Sequence, residues 1–413
     1  MTNDITFEQK LENYADLTIK LGVGLQAGQR LAIRAPLEAA PLVRLLAKKA
    51  YQVGARLVDV LWHDDALNLT RIQYAPRDSF DEFPAWHLDG LRQVVEQGGA
   101  TLRIQAADPD LFKEQDPDIV AHVERVFNAH LSPARRISMS NLCNWSVIAM
   151  PIPSWAAKVF PDDDPPTQLA KLWELIFRTC RLDQPDPIAA WQQHMARVRL
   201  QKDYLNAKQY VALKYTAPGT DFKIGLPTNH IWHGIDAQTN SGITFIPNLP
   251  TEEIFTMPHS AQADGVVSST KPLSHNGVLI KDFVLTFEGG RIVKVSAQTG
   301  EKTLRKLVET DDGSSRLGEI ALVPHSSPIS QTGLLFYSTL FDENASSHLA
   351  IGKAYRFCLD HGTDMSDEQF AVAGGNNSLV HVDFMIGSAE MNIDGLMRDG
   401  TAEPIMRQGE WAF

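Results

Sequence analysis

The chain has 413 residues, 44% of them hydrophobic and 21% charged, with 38 Lys plus Arg against 50 Asp plus Glu for a formal charge of −12. At about 150 residues per domain this length implies two or three domains, and the balance is that of a globular protein rather than a disordered one. An acidic chain is a poor general binder of nucleic acid or of anionic membranes, so a small molecule or peptide is the favoured partner.

Cys143, Cys180 and Cys358 are widely spaced and include no CxxC pair. That excludes a thiolate zinc site and a thioredoxin-like redox pair, and a disulfide framework is unexpected at this size. The N-terminal MTNDITFEQKLENYADLTIK carries acids and lacks an apolar signal core, and apolar runs are too short to span a bilayer. A soluble cytoplasmic protein is expected.

In chain order, apolar residues at helical spacing predict a helix over Phe7–Gly22, followed by a strand at Arg30–Ala35 and a helix at Leu37–Val53. Strands are expected at Arg56–Leu61, Thr101–Ala106 and Trp145–Met150, with helix up to about Gln97 and again at Asp118–Ala129. Repeated β-α units argue for a mostly parallel sheet covered by helices. No dinucleotide fingerprint and no P-loop occupies the turns.

FPDDDPPTQ at Phe160–Gln168 and LDQPDPIAAW at Leu182–Trp191 interrupt this pattern, with helices expected at Gln168–Arg181 and Pro187–Asn206. Beyond Gln209 the period moves towards two. Hairpins are expected around Ala217-Pro218-Gly219-Thr220 and Glu288-Gly289-Gly290, and helices at Glu301–Glu309 and Ser346–Leu359. The fold class is therefore α/β: an N-terminal α/β domain with a helical linker over 1–205, then a β-rich α+β domain over 206–413.

Eight of the 13 histidines follow residue 220. In SLVHVDFMIG, His381 and Asp383 share one face of an apolar strand, where burial is costly unless a partner neutralises them. A metal ion is one such partner; a simple His–Asp hydrogen bond is the other. On the helix expected at Ser346–Leu359, His348 and Tyr355 are seven apart and point the same way, while Cys358 turns aside and reads as core. Glu252 and Glu253 lie between prolines in PNLPTEEIFTMP, and Glu319 opens the run EIALVP. HExxH, GxSxG and Cys/His nucleophile signatures are missing. Oxygen and nitrogen ligands without thiolate suit Zn²⁺, Co²⁺ or Mn²⁺, and several carboxylates suit a two-metal site.

PNLPTEEIFTMP, the Glu319 strand, SSHLAIGKAY and HVDFMIG, in this order, together with the early YADLTIKLGVGLQAGQRLAIRAP and the closing DGTAEPIMRQGEWAF, resemble the M29 metallo-aminopeptidases of the aminopeptidase T and aminopeptidase S type. The resemblance spans essentially the whole chain. It implies two divalent ions (Zn, Co or Mn, with Mg possible) held by Glu253, Glu319, His348, His381 and Asp383, with Tyr355 as a further active-site residue. Glu253 is preferred over Glu252 because it matches the second acid of the family's TEE, and Glu252 would face the opposite way on an extended backbone. It also implies release of N-terminal residues from peptides by a metal-activated water. In that scheme Tyr355 stabilises the oxyanion, and Glu253 or Glu319 serves as proton carrier, with Glu252 a further option. A homodimer is implied as well. Another dinuclear hydrolase, such as an amidase or phosphoesterase, and a metal-free scaffold are the rival readings.

Overall fold

The computed structural model describes residues 5–139, 142–275 and 277–413. The chain divides into two units, Met1–His194 with Asp236–Pro250, and Met195–Ile235 with Thr251–Phe413. The sequence reading placed one cut near residue 205; the structure instead divides the chain inside a long helix and returns 236–250 to the first unit.

The first unit opens with α1 (Phe7–Leu17), whose start is capped by Thr6 accepting from the Gln9 backbone N–H, and which continues as a π-helical turn over Thr18–Gly22. Then follow β1 (Arg30–Pro36), α2 (Ala40–Gln52), β2 (Leu57–His63), α3 (Asp65–Tyr74), α4 (Trp86–Glu96), β3 (Ala100–Gln105), α5 (Pro117–Met139) and β4 (Trp145–Ala149). Parallel pairing puts β1 between β2 and β3, with β4 beyond β3. Leu31, Ile33, Leu102, Ile104 and Ile148 are buried at 1% exposure or less, as expected of strands covered by helices. Tyr14 is fully buried and its hydroxyl donates to the Ala149 carbonyl at 2.9 Å, tying α1 to β4. The first Pro/Asp break separates α6 (Pro153–Val159) from α7 (Pro165–Thr179) and the second separates α7 from α8 (Pro187–Lys208), which runs into the second unit.

The second unit begins with the expected hairpin, β5 (Ala212–Ala217) and β6 (Thr220–Gly225), turning at Pro218-Gly219 with Gly219 at φ +75°. The chain then revisits the first unit for β7 (Ala237–Gln238), β8 (Thr244–Phe245) and β9 (Asn248–Leu249). There β9 completes the sheet order β2-β1-β3-β4-β9.

Back in the second unit come β10 (Ile254–Thr256), β11 (Ala263–Ser268), β12 (Leu273–His275), β13 (Val278–Glu288), β14 (Arg291–Thr299), α9 (Glu301–Val308) and β15 (Leu317–Leu322). They are followed by α10 (Thr339–Asp342), β16 (His348–Gly352), α11 (Asp367–Val372), β17 (His381–Met385), β18 (Asn392–Leu396), β19 (Ala402–Arg407) and β20 (Glu410–Trp411). A nine-stranded sheet gathers β5, β6, β11–β14 and β18–β20, and a four-stranded antiparallel sheet has the order β10-β15-β16-β17.

The helix expected over Ser346–Leu359 is not formed. His348–Gly352 is a central strand of the four-stranded sheet, and beyond it the chain makes only a 3₁₀ turn at Arg356–Cys358. All five residues of β16 are buried, so this strand has no polar face to show a period of two. Cys358 is core, in contact with Met257, Ala354, Leu359 and Phe370.

Candidate metal centre

The four-stranded sheet sorts its side chains by register. Ile320, Leu349 and Phe384 are aligned across β15, β16 and β17 and are almost wholly buried, with the Phe384 ring 5.6 Å from that of Phe283. The next row pairs Glu319 with Ala350 and Ala350 with Asp383, so these project from the opposite face. His348 and His381 stand two residues before Ala350 and Asp383 and share that face. Phe255 pairs with Ala321, which places Glu253, two residues before it, on the same side and Glu252 on the other. One sheet face thus carries two histidines and three carboxylates, while the other packs apolar side chains.

The geometry draws these five residues into two groups. Glu253, Glu319 and His348 offer ligand atoms within 4.8 Å of one another, and Glu319, His381 and Asp383 do the same. Glu319 belongs to both. Its Oε1 lies 3.7 Å from His348 Nε2 and its Oε2 lies 3.4 Å from His381 Nε2. Glu253 Oε2 is 3.3 Å from His348 Nε2, and Asp383 Oδ1 is 3.4 Å from His381 Nε2.

Each imidazole has its tautomer set from behind. His348 Nδ1 donates to the Ser346 carbonyl at 3.1 Å and His381 Nδ1 to the Lys353 carbonyl at 2.7 Å. In the neutral ring Nε2 is then a lone pair aimed at carboxylate oxygens. The contacts lie at ion-pair distance, yet Glu253 Oε2 and Asp383 Oδ1 receive no hydrogen bond. A cation lying between nitrogen and oxygen would meet both. Buried carboxylates left without one cost several kcal/mol each. The residues present fit divalent metal.

The ionisation pattern has the same origin. Burial pushes the Glu253 carboxyl up, against the pull of His348. Burial also acts to raise Asp383, but His381 and His348 outweigh it and hold the group below the ordinary carboxylate range. Burial together with the nearby carboxylates keeps the Tyr355 phenol well above its ordinary value, so it stays a donor. Tyr355 follows β16, with its ring 4.8 Å from the His381 ring and stacked on Phe357 at 5.3 Å. It reaches the centre from a loop, not from a helix shared with His348.

Glu343 was not anticipated from sequence. It lies in a 3₁₀ turn after α10, and burial and then the charges of Glu253 and Asp383 push its carboxyl well up. Its neighbour Asn344 is fully buried and accepts from the Glu252 backbone N–H at 2.7 Å, which fixes the approach to Glu253. Neither residue sits in a periodic pattern. An acid beside an asparagine just before SSHL was the one available sign. Glu252 is buried, but it belongs to neither ligand group.

Histidine and carboxylate ligands on a rigid sheet, without thiolate, mark a centre of the metallohydrolase class. The comparisons narrow the class. The family model for thermophilic metalloproteases (M29) matches residues 7–411. Aminopeptidase 2 of Geobacillus stearothermophilus is 50% identical over 98% of this chain and 98% of its own length. Aminopeptidase AmpS of Bacillus subtilis is 45% identical over 99% of this chain and 100% of its own. The solved structure of wild-type AmpT from Thermus thermophilus superposes with a TM-score of 0.94 at 42% identity, covering 99% of this chain and 100% of that one. The chain belongs to the M29 metallopeptidase family and is a peptide-bond hydrolase. Among the described residues no helix is long and apolar enough to cross a membrane.

Proposed function

We propose that the protein is a metal-dependent aminopeptidase that removes N-terminal residues from peptides at a dinuclear centre. The observation that carries the two-metal form is Glu319, whose two carboxylate oxygens face different histidines and join the two ligand groups. Glu253 and His348 would hold one divalent ion and His381 and Asp383 the other, with Glu319 shared. Such ions supply the positive charge that acidifies a water and polarises a carbonyl at neutral pH.

The chain's own groups do the rest. Tyr355, kept protonated, donates to the oxygen that gains charge when the carbonyl is attacked. Glu343 is a carboxyl beside the centre that lies outside both ligand groups, and it can carry a proton to the leaving amine. That assignment replaces Glu253 or Glu319 as proton carrier, because both face histidines as ligand atoms. The fixed Nδ1–H bonds of His348 and His381 keep the acceptor nitrogens aimed without reorganisation.

The test compares leucine p-nitroanilide with its N-acetylated form, using protein stripped by chelator and then supplied with Zn²⁺, Co²⁺ or Mn²⁺. Turnover confined to the free-amine substrate and restored by metal is expected. Equal cleavage of the blocked substrate would overturn the aminopeptidase reading. Full activity with less than about one metal per chain would overturn the metal reading.

A further inference from the structure

The two imidazoles of the centre are oriented by carbonyls that are themselves held in different ways. The His348 side chain is 1% exposed and takes the carbonyl of Ser346, two residues back on its own strand entry. The His381 side chain is 19% exposed and takes the carbonyl of Lys353, on a separate segment just past the end of β16. That segment has left the regular ladder, since Gly352 sits at φ +104°.

Asn376 holds it. This side chain is 4% exposed, and its Nδ2 donates to the Gly352 carbonyl at 2.6 Å and to the Gly313 carbonyl at 2.8 Å. Its own carbonyl accepts from Ala354 N–H at 2.9 Å, so residue 376 grips both neighbours of Lys353. Lys353 N–H is taken by the Val380 carbonyl at 2.7 Å. From the other side comes Gly318, where an added Cβ would lie 2.3 Å from the Lys353 oxygen and 2.4 Å from the Gly352 oxygen. The Lys353 carbonyl is boxed, and the Asn376 side chain fastens the box through its hydrogen bond to the Gly352 carbonyl. His348 shares none of these partners.

We propose that Asn376 is a positioning residue for one half of the centre. By fixing Gly352–Ala354 it sets the Lys353 carbonyl, hence the tautomer and aim of His381, and so the affinity of the His381–Asp383 position without altering the Glu253–His348 position. This rests on the two-cation reading above. Residues that orient metal-binding histidines typically change metal affinity 10–100-fold.

Calorimetric titration of chelator-stripped protein with Zn²⁺ tests it, alongside ¹⁵N NMR of the histidine rings in the metal-free state at a pH high enough to leave both rings neutral. For wild type, two equivalents and an Nδ1-protonated His381 are expected. In Asn376→Ala one equivalent should keep its affinity and the other weaken 10–100-fold, with mixed His381 tautomers and an unchanged His348 signal. Asn376→Ser retains one donor and should fall between; it also serves if the alanine variant folds poorly. Equal weakening of both equivalents, or weakening of neither, would overturn the assignment. A wild-type protein that takes up one ion only would overturn the two-cation reading, while the His381 ring signal still decides whether Asn376 positions that histidine.

Discussion

With no metal ion bound, three buried carboxylates and two imidazoles must be balanced by protons. Burial alone would lower the pKa of His348 and of His381, but the carboxylates overcome it and both are raised well above the ordinary histidine value. The metal-free rings therefore hold protons at neutral pH that an incoming ion must expel. The sign follows: falling pH strengthens the competitor, so metal affinity should weaken as pH falls and protons should be released on binding. Titration in buffers of different ionisation heats measures that release, and a buffer-independent enthalpy would contradict it. Tyr355 gives a second prediction at this scale. Its ring is held between His381 and Phe357, so Tyr355→Phe keeps the stack and removes only the donor. Loss of one oxyanion donor costs about 10²–10³ in kcat. Metal content and KM should change little; a variant with unchanged kcat would remove Tyr355 from the chemistry.

At the scale of elements, β16 is where sequence and structure part. HLAIG is buried throughout, so a strand covered on both faces and a helix interior look alike in periodicity. One residue carried the distinction: Gly352, a poor helix interior, stands at φ +104° with the Val380 carbonyl 2.2 Å from where a Cβ would be. Gly352→Ala should accordingly destabilise the protein by roughly 2–4 kcal/mol, from strain together with the backbone clash. Chemical denaturation measures it, and a change below about 1 kcal/mol would mean the turn can relax. The parallel β-α pattern of the first unit and the two hairpins of the second were legible, because their signals are local: alternation, a Pro-Gly turn, a Gly-Gly turn. The His381–Asp383 pair was legible for the same reason, being two residues on one strand. The fit of Glu253, Glu319 and His348 was carried by family resemblance, since sheet register brings them together across nearly a hundred residues of chain. Glu343 and Asn376 had no such signal, as each acts from an irregular segment whose position only the folded sheet defines.

For the whole molecule, the formal charge of −12 counts Glu253, Glu319 and Asp383 as though they were ordinary surface acids. They lie instead on one face of a buried sheet, with side-chain exposures of 12%, 7% and 12%. That charge is a liability to folding until cations meet it, so metal bound only by the folded state must stabilise the fold by mass action. At free metal one hundred times the dissociation constant, the gain is about 2.7 kcal/mol per site. Removing metal with a chelator should lower the melting temperature, and resupply should restore it in a concentration-dependent way. The loss should also be local. All five proposed ligands belong to the second unit, on β15, β16 and β17 and at the entry to β10. Hydrogen exchange in chelator should accelerate first in those strands, while β1–β4 of the first unit keep their protection. Uniform acceleration across both sheets would show that metal binding is coupled to the folding of the entire chain rather than to the sheet that carries the ligands.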